Sequence, residues 1–149
     1  MQLLTNAVGR KVLMGSSGIL MVLFVVVHLL GNSSIFVGPD GINAYAEKLH
    51  SLGPLVWVFR AVMLALLLVH AWFGITLTLE NSAANPAKYA VNRKLKATFS
   101  SETMIWTGLL LLAFLVYHLL QFTVRITPDV VLGEDAQGRF DVFTMVVES

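Results

Sequence analysis

Three histidines lie inside three long apolar runs: His28 in VLFVVVHLLG, His70 in LALLLVHAWFG and His118 in LAFLVYHLLQ. An imidazole is costly in hydrocarbon unless it pairs or coordinates, so an ionisable residue within a membrane span marks a site by default. One histidine per span suits axial ligation of iron in a buried b-type haem. Zinc or non-haem iron suits the pattern less, because no Asp or Glu accompanies the histidines within the runs. The competing explanation for each residue is a hydrogen bond to a neighbouring backbone or hydroxyl group.

The elements that carry these residues follow from the apolar runs themselves. Val12–Leu30 and Ala61–Leu79 are each nineteen residues without a charge, and Thr103–Val124 is twenty-two. About 20 apolar residues cross ~30 Å of hydrocarbon as a helix. None of the runs alternates as barrel strands do. The sequence therefore predicts an all-α, polytopic transmembrane helix bundle formed as a single domain over 1–149. A composition of 56% hydrophobic and 13% charged residues agrees. Pro54 reads as a helix breaker before the second span, and Ser100–Ser101–Glu102 as capping chemistry before the third. VGPDG reads as a turn, INAYAEKLHSL as a short surface helix, and FDVFTMVVES as an apolar end without a cap or further helix. There is no cysteine, which removes disulfides, covalently attached haem and iron–sulfur ligation by this chain. The net charge of +1 carries little information about partners, and no nucleic-acid partner is expected.

Basic residues set the orientation. Arg10 and Lys11 precede the first span, and Lys88, Arg93, Lys94 and Lys96 fill the second loop. The positive-inside rule places the N-terminus and that loop in the cytoplasm, with the first loop and the tail outside.

Helical rise then sorts the histidines by depth. His28 stands seventeen residues above Lys11 and His118 sixteen above Glu102, or ~25 and ~24 Å. His70 is only ten residues from the inner boundary at Glu80, or ~15 Å. Two axial ligands of one iron must share a level, and His28 and His118 do. His70 lies about 10 Å further in and needs another partner. This predicts one complete haem site towards the outside and half of a second towards the inside.

Other residues carry weaker signals. His50, beside Glu47 in AEKLHSLGP, is either a solvated loop residue or a proton acceptor or quinone contact at the outer interface. Arg60 is a snorkelling boundary residue or a partner for a propionate of the outer haem. Ser16, Ser17, Gly18, Gly74 and Gly108 suit close helix packing, and Trp57, Trp72 and Trp106 suit the interfacial belts.

The stretch HLLGNSSIFVGPDGINAYAEKLHSLGPLVWVFRAVMLALLLVH, with LTLENSAANPAKYAV and YHLLQF after it, resembles the cytochrome b membrane anchor of succinate dehydrogenases and fumarate reductases. It is similar to the bacterial single-polypeptide, two-haem branch, over essentially the whole chain from Gly9 to Ser149. The resemblance implies five spans and four haem-ligating histidines in the first four, with His28, His70 and His118 on the first three. The fourth would lie in a span after the tail, so the sequence reads as a C-terminally truncated chain, three spans of five. The resemblance further implies two haem b groups, menaquinone as electron carrier, and a bacterial cytoplasmic membrane. It also implies an iron–sulfur subunit and a flavoprotein as partners, with the Lys88–Lys96 loop a natural docking surface. The chain itself would carry electrons without performing succinate chemistry. The alternatives are a cytochrome b anchor of another respiratory complex, such as a hydrogenase or formate dehydrogenase, and a haem-free anchor or small transporter.

Overall fold

The computed structural model describes residues 2–84 and 98–149. The basic loop residues Lys88, Arg93, Lys94 and Lys96 lie outside these. Every regular element among the described residues is helical: α1 (Gln2–Thr5), α2 (Ala7–Asn32), α3 (Pro39–His50), α4 (Pro54–Ala83), α5 (Phe99–Leu119) and α6 (Val142–Val147). A 3₁₀ segment, Ser33–Val37, extends α2, and a π-turn, Leu120–Val124, extends α5. Three of these elements are long and apolar enough to cross a membrane: Ala7–Val37, Pro54–Ala83 and Phe99–Val124. The protein is an all-α membrane protein.

Each span exceeds its charge-free run because capping residues and interfacial charges extend it. Asn6 caps α2 by accepting the Gly9 N–H. Thr98 caps α5 by accepting the Ser101 N–H at 3.2 Å. The third helix therefore starts one turn earlier than Ser100–Ser101–Glu102 suggest, with those three residues already inside its first turn. Pro54 sits at the first position of α4, where its missing N–H costs nothing.

Helices α2 and α4 run antiparallel and pack along their length. The N-terminal end of α2 is tied to the C-terminal end of α4 by Arg10, whose guanidinium donates to both carboxylate oxygens of Glu80 at 2.6 and 2.8 Å. Near the other end Phe24 meets Phe59, ring centres 5.5 Å apart. Helix α5 touches α4 more sparsely. Very few apolar side chains in the spans are buried, Phe73 and Leu77 being two that are. The outward apolar surface of the three long helices is the lipid-facing band of a membrane protein.

The VGPDG segment is not a free-standing turn. The 3₁₀ segment runs to Val37, Gly38 adopts φ 103°, and Pro39-Asp40-Gly41 form the first turn of α3. The joint is tight: a Cβ at Gly41 would lie 2.6 Å from the Ser34 carbonyl oxygen and 2.8 Å from Val37 Cβ. Gly41→Ala should cost about 1–3 kcal/mol through forced backbone shifts. Gly133→Ala, where a Cβ meets nothing within 4 Å, should stay within about 0.5 kcal/mol. Thermal unfolding in one detergent compares the two, and equal effects would contradict the close approach.

The tail folds back onto α3. It closes with an isolated bridge between Glu134 and Phe140 and with α6, which packs on α3. The expectation that this end has neither a cap nor a helix is corrected: Asp141 accepts the Thr144 N–H at 3.1 Å and starts α6. The centre of the contact is Asn43, fully buried on α3. Its amide nitrogen donates to Asp135 at 3.2 Å and to Asp141 at 3.1 Å, and its oxygen accepts from the Phe143 N–H at 3.0 Å. Arg139 closes the clasp, its Nε donating to Asp135 and a terminal nitrogen to Asp40, both at 2.7 Å.

Candidate functional site

Helices α2 and α5 lie far apart in sequence, yet they bring His28 and His118 together. The ring centres are 6.0 Å apart and the planes perpendicular. Phenylalanines frame the pair. Phe24 lies 5.3 Å from His28, one turn below it on the same helix face. On α5, Phe114 stacks 5.7 Å from His118 and Phe122 tilts against it at 5.2 Å. The i, i+4 spacing of Phe24–His28 and of Phe114–His118–Phe122 is what places them on one face of each helix.

The dimensions suit a metal between the rings. With metal–nitrogen bonds of about 2 Å and each ring centre roughly 1.1 Å behind its nitrogen, two imidazoles on opposite sides of one metal have centres about 6.2 Å apart. Perpendicular planes are compatible with that arrangement, since each plane need only contain the nitrogen–metal axis. Among the described residues, no hydrogen bond from another helix commits either ring. The Asn32 amide nitrogen, 3.3 Å from both nitrogens of His28, belongs to α2 itself and also donates to the His28 carbonyl at 2.8 Å. His28 is exposed and His118 half-buried, so the slot between α2 and α5 is open at its side. Among the described residues, no third His, Cys, Asp or Glu joins them in a metal-binding group. The pair offers two nitrogen donors, and the remaining ligands of a metal held there would have to come with it.

His70 lies elsewhere. It packs on Gly18, where a Cβ would come within 3.0 Å of its ring. Gly18 is ten residues before His28, or about 15 Å along α2. Its Nδ1 is 2.9 Å from the Met14 carbonyl. A carbonyl only accepts, so Nδ1 carries a proton, and in the neutral imidazole Nε2 is the nitrogen with the free lone pair. A histidine oriented this way is ready to ligate a metal. The same bond is also a complete packing role.

The remaining candidates divide between two places. Arg60 stacks over Trp57 on its own helix, the guanidinium carbon 4.9 Å from the ring. His50 and Glu47 line a cavity of about 380 Å³ between α3 and the tail, together with Asn43, Arg125, Arg139 and Phe140. His50 donates from Nδ1 to the Ala46 carbonyl at 2.8 Å. Sequence reading missed the second wall of this cavity and its buried hinge, Asn43. A lone Asn in a loop helix and a mixed-polarity tail have no periodic signal.

The clasp that forms that wall is built on carboxylates held in their charged form. Burial pushes the Asp135 carboxyl up, but hydrogen bonds from the Arg139 backbone and guanidinium, the Asn43 amide and the Gln137 N–H outweigh it, leaving it below the usual range. The Thr144 hydroxyl and N–H, then the Asn43 amide, hold Asp141 low as well. Groups with depressed folded values stabilise fully above their unfolded value of about 3.9 and lose that contribution as pH falls through the folded value. Protection of residues 129–149 against hydrogen exchange should therefore be flat from pH 7 to 5 and fall only below about pH 4. A loss of protection between pH 7 and 5 would show that other groups hold the tail.

No family model, curated protein or solved structure matches the chain.

Proposed function

We propose that this chain is the membrane-anchor cytochrome b subunit of a succinate:quinone oxidoreductase, with His28 and His118 as axial ligands of an outer b-type haem. The observation that carries the reading is the meeting of these two imidazoles, 6.0 Å apart and perpendicular, from separate spans. The resemblance in HLLGN, GPDGINAYAEKLH and YHLLQF supplies the rest of the assignment.

A bound haem supplies reversible one-electron chemistry at a potential tuned by its axial ligands and their surroundings. The chain's own residues do five things. His28 and His118 fix the position and level of the group. Phe24, Phe114 and Phe122 crowd the imidazoles and limit water around them. His70, its tautomer set by Met14, is the ligand offered to an inner haem. Arg60, at the outer edge of its span, has a guanidinium for a propionate. At the outer face, Glu47 and His50 are the groups for taking up protons released from menaquinol or returning them to menaquinone. His50 Nδ1 is already committed to Ala46, so Nε2 is the nitrogen left to meet quinone.

In this reading the N-terminus faces the cytoplasm of a bacterial cell, and the iron–sulfur and flavoprotein subunits dock there, against the basic second loop. They carry the succinate or fumarate chemistry; this chain carries electrons between them and quinone. One observation favours a haem-free reading for His70 alone, namely its bond to the Met14 backbone, which satisfies it without a ligand.

Reduced-minus-oxidised spectra of the purified chain, expressed with haem in excess, test the proposal. A b-type α-band that responds to a menaquinol analogue is expected. Its complete absence would refute haem binding and leave the anchor without its electron-transfer role.

A further inference from the structure

We propose a second ligand site, separate from the histidine pair: an oxyanion site at Arg125 that binds the phosphate of an anionic phospholipid headgroup. Arg125 is the first residue past the third span and adopts φ 62°, turning the chain out of α5 at the depth of the headgroup layer. Its guanidinium carbon lies 4.1 Å from the Phe140 ring centre. Stacking fixes the plane of the guanidinium and leaves its edge for a planar or tetrahedral oxyanion.

The site lacks a counter-ion of its own. Among the described residues no carboxylate pairs with Arg125, and its buried Nε has no hydrogen-bond partner. Arg139, on the same cavity, is the opposite case, with Asp135 and Asp40 both at 2.7 Å. Of the two guanidiniums lining about 380 Å³ of space, only Arg125 is available to a ligand. A sequestered N–H without an acceptor is costly, and an anion relieves that cost.

The surroundings select the kind of anion. Glu47, in the same lining, accepts hydrogen bonds, and His50 has one nitrogen left for the cavity. They suit hydroxyl groups beside the phosphate, as in a glycerol headgroup, whereas the ammonium of a choline headgroup cancels the net negative charge that draws a lipid to Arg125. A second cavity of about 240 Å³ lies across the same α3–α6 contact, lined by Ile42, Leu29, Phe36 and Val146 among others. Ile42 and Asn43 are neighbours on α3, one facing each cavity. A phosphate beside an apolar groove at the membrane surface matches a lipid better than a free ion.

Native mass spectrometry of the full chain in detergent, titrated with phosphatidylglycerol, phosphatidylcholine or inorganic phosphate, tests this. Retention of one phosphatidylglycerol is expected, in preference to phosphatidylcholine, and Arg125→Gln should weaken it by about tenfold or more. Phe140→Leu, which keeps the charge and removes the stack, should weaken it by a few-fold. Hydrogen exchange of α6 establishes that each variant keeps the tail in place; if Arg125→Gln loosens it, Phe140→Leu carries the test. Unchanged phosphatidylglycerol retention in a folded Arg125→Gln protein would overturn the site. Displacement of the lipid by submillimolar inorganic phosphate would assign the site to a solute ion and overturn the lipid.

Discussion

Replacing His28 with alanine is expected to abolish the same haem that replacing His118 abolishes. The two rings meet between α2 and α5 with centres 6.0 Å apart and planes perpendicular, and in the proposed function each supplies one side of a single site. Changes to groups that merely orient a metal ligand already cost 10–100-fold in affinity, and loss of a ligand should cost at least about 100-fold. The double variant should be no worse than either single one, because residues that act as a unit are not additive. His70→Ala should spare this haem. It should cost about 1 kcal/mol of stability through the lost bond to Met14. Haem content per chain, with absorbance resolved by redox titration, distinguishes these outcomes. If the His28 and His118 variants lost different haems, the two residues would not share an iron.

The second large effect is expected at Asn43. This side chain is fully buried and makes three hydrogen bonds, to Asp135, Asp141 and the Phe143 N–H. Asn43→Leu leaves the N–H without an acceptor and strips two carboxylates of a donor. Each unsatisfied buried group costs about 1–3 kcal/mol. A combined loss of about 3 kcal/mol, roughly a hundredfold in the opening equilibrium of α6, is expected. Asn43→Asp should be at least as damaging, since it sets a third carboxylate against two that are already ionised. Hydrogen exchange of α6 reads the effect directly, while the α2–α4 amides should be unchanged. A tail that stays protected in both variants would remove Asn43 from its central place in the clasp.

The membrane helices and the level of the histidines were legible because both depend on simple periodic physics. An uninterrupted apolar run of about 20 residues sets a span, and a rise of about 1.5 Å per residue sets depth along it. That was enough to set His28 and His118 at one level, and their rings lie 6.0 Å apart, while His70 packs beside Gly18, away from them. Boundaries were less legible. Thr98 caps α5 although Ser100 and Ser101 are equally good capping residues by type. Gly38, with φ 103°, holds the joint that GPDG had suggested for the whole pentapeptide, and Pro39 opens a helix. The clasp was not legible at all. Asn43 meets Asp135 and Asp141 across more than ninety residues of chain, and polar pairs at such separation have no local pattern. Arg125 was hidden for the same reason: its stacking on Phe140 exists only once the tail folds back.

The central claim is that His28 and His118 hold one iron between them. The measurement closest to it is near-infrared magnetic circular dichroism of the oxidised chain and of its His118→Met variant, which reports the axial ligands themselves. The wild-type chain should show a bis-imidazole signature. The variant should show an imidazole–thioether signature with a raised midpoint potential, as Met/His ligation raises potentials in cytochromes. An unchanged bis-imidazole signature in the variant would contradict the account, because His118 would then not be a ligand.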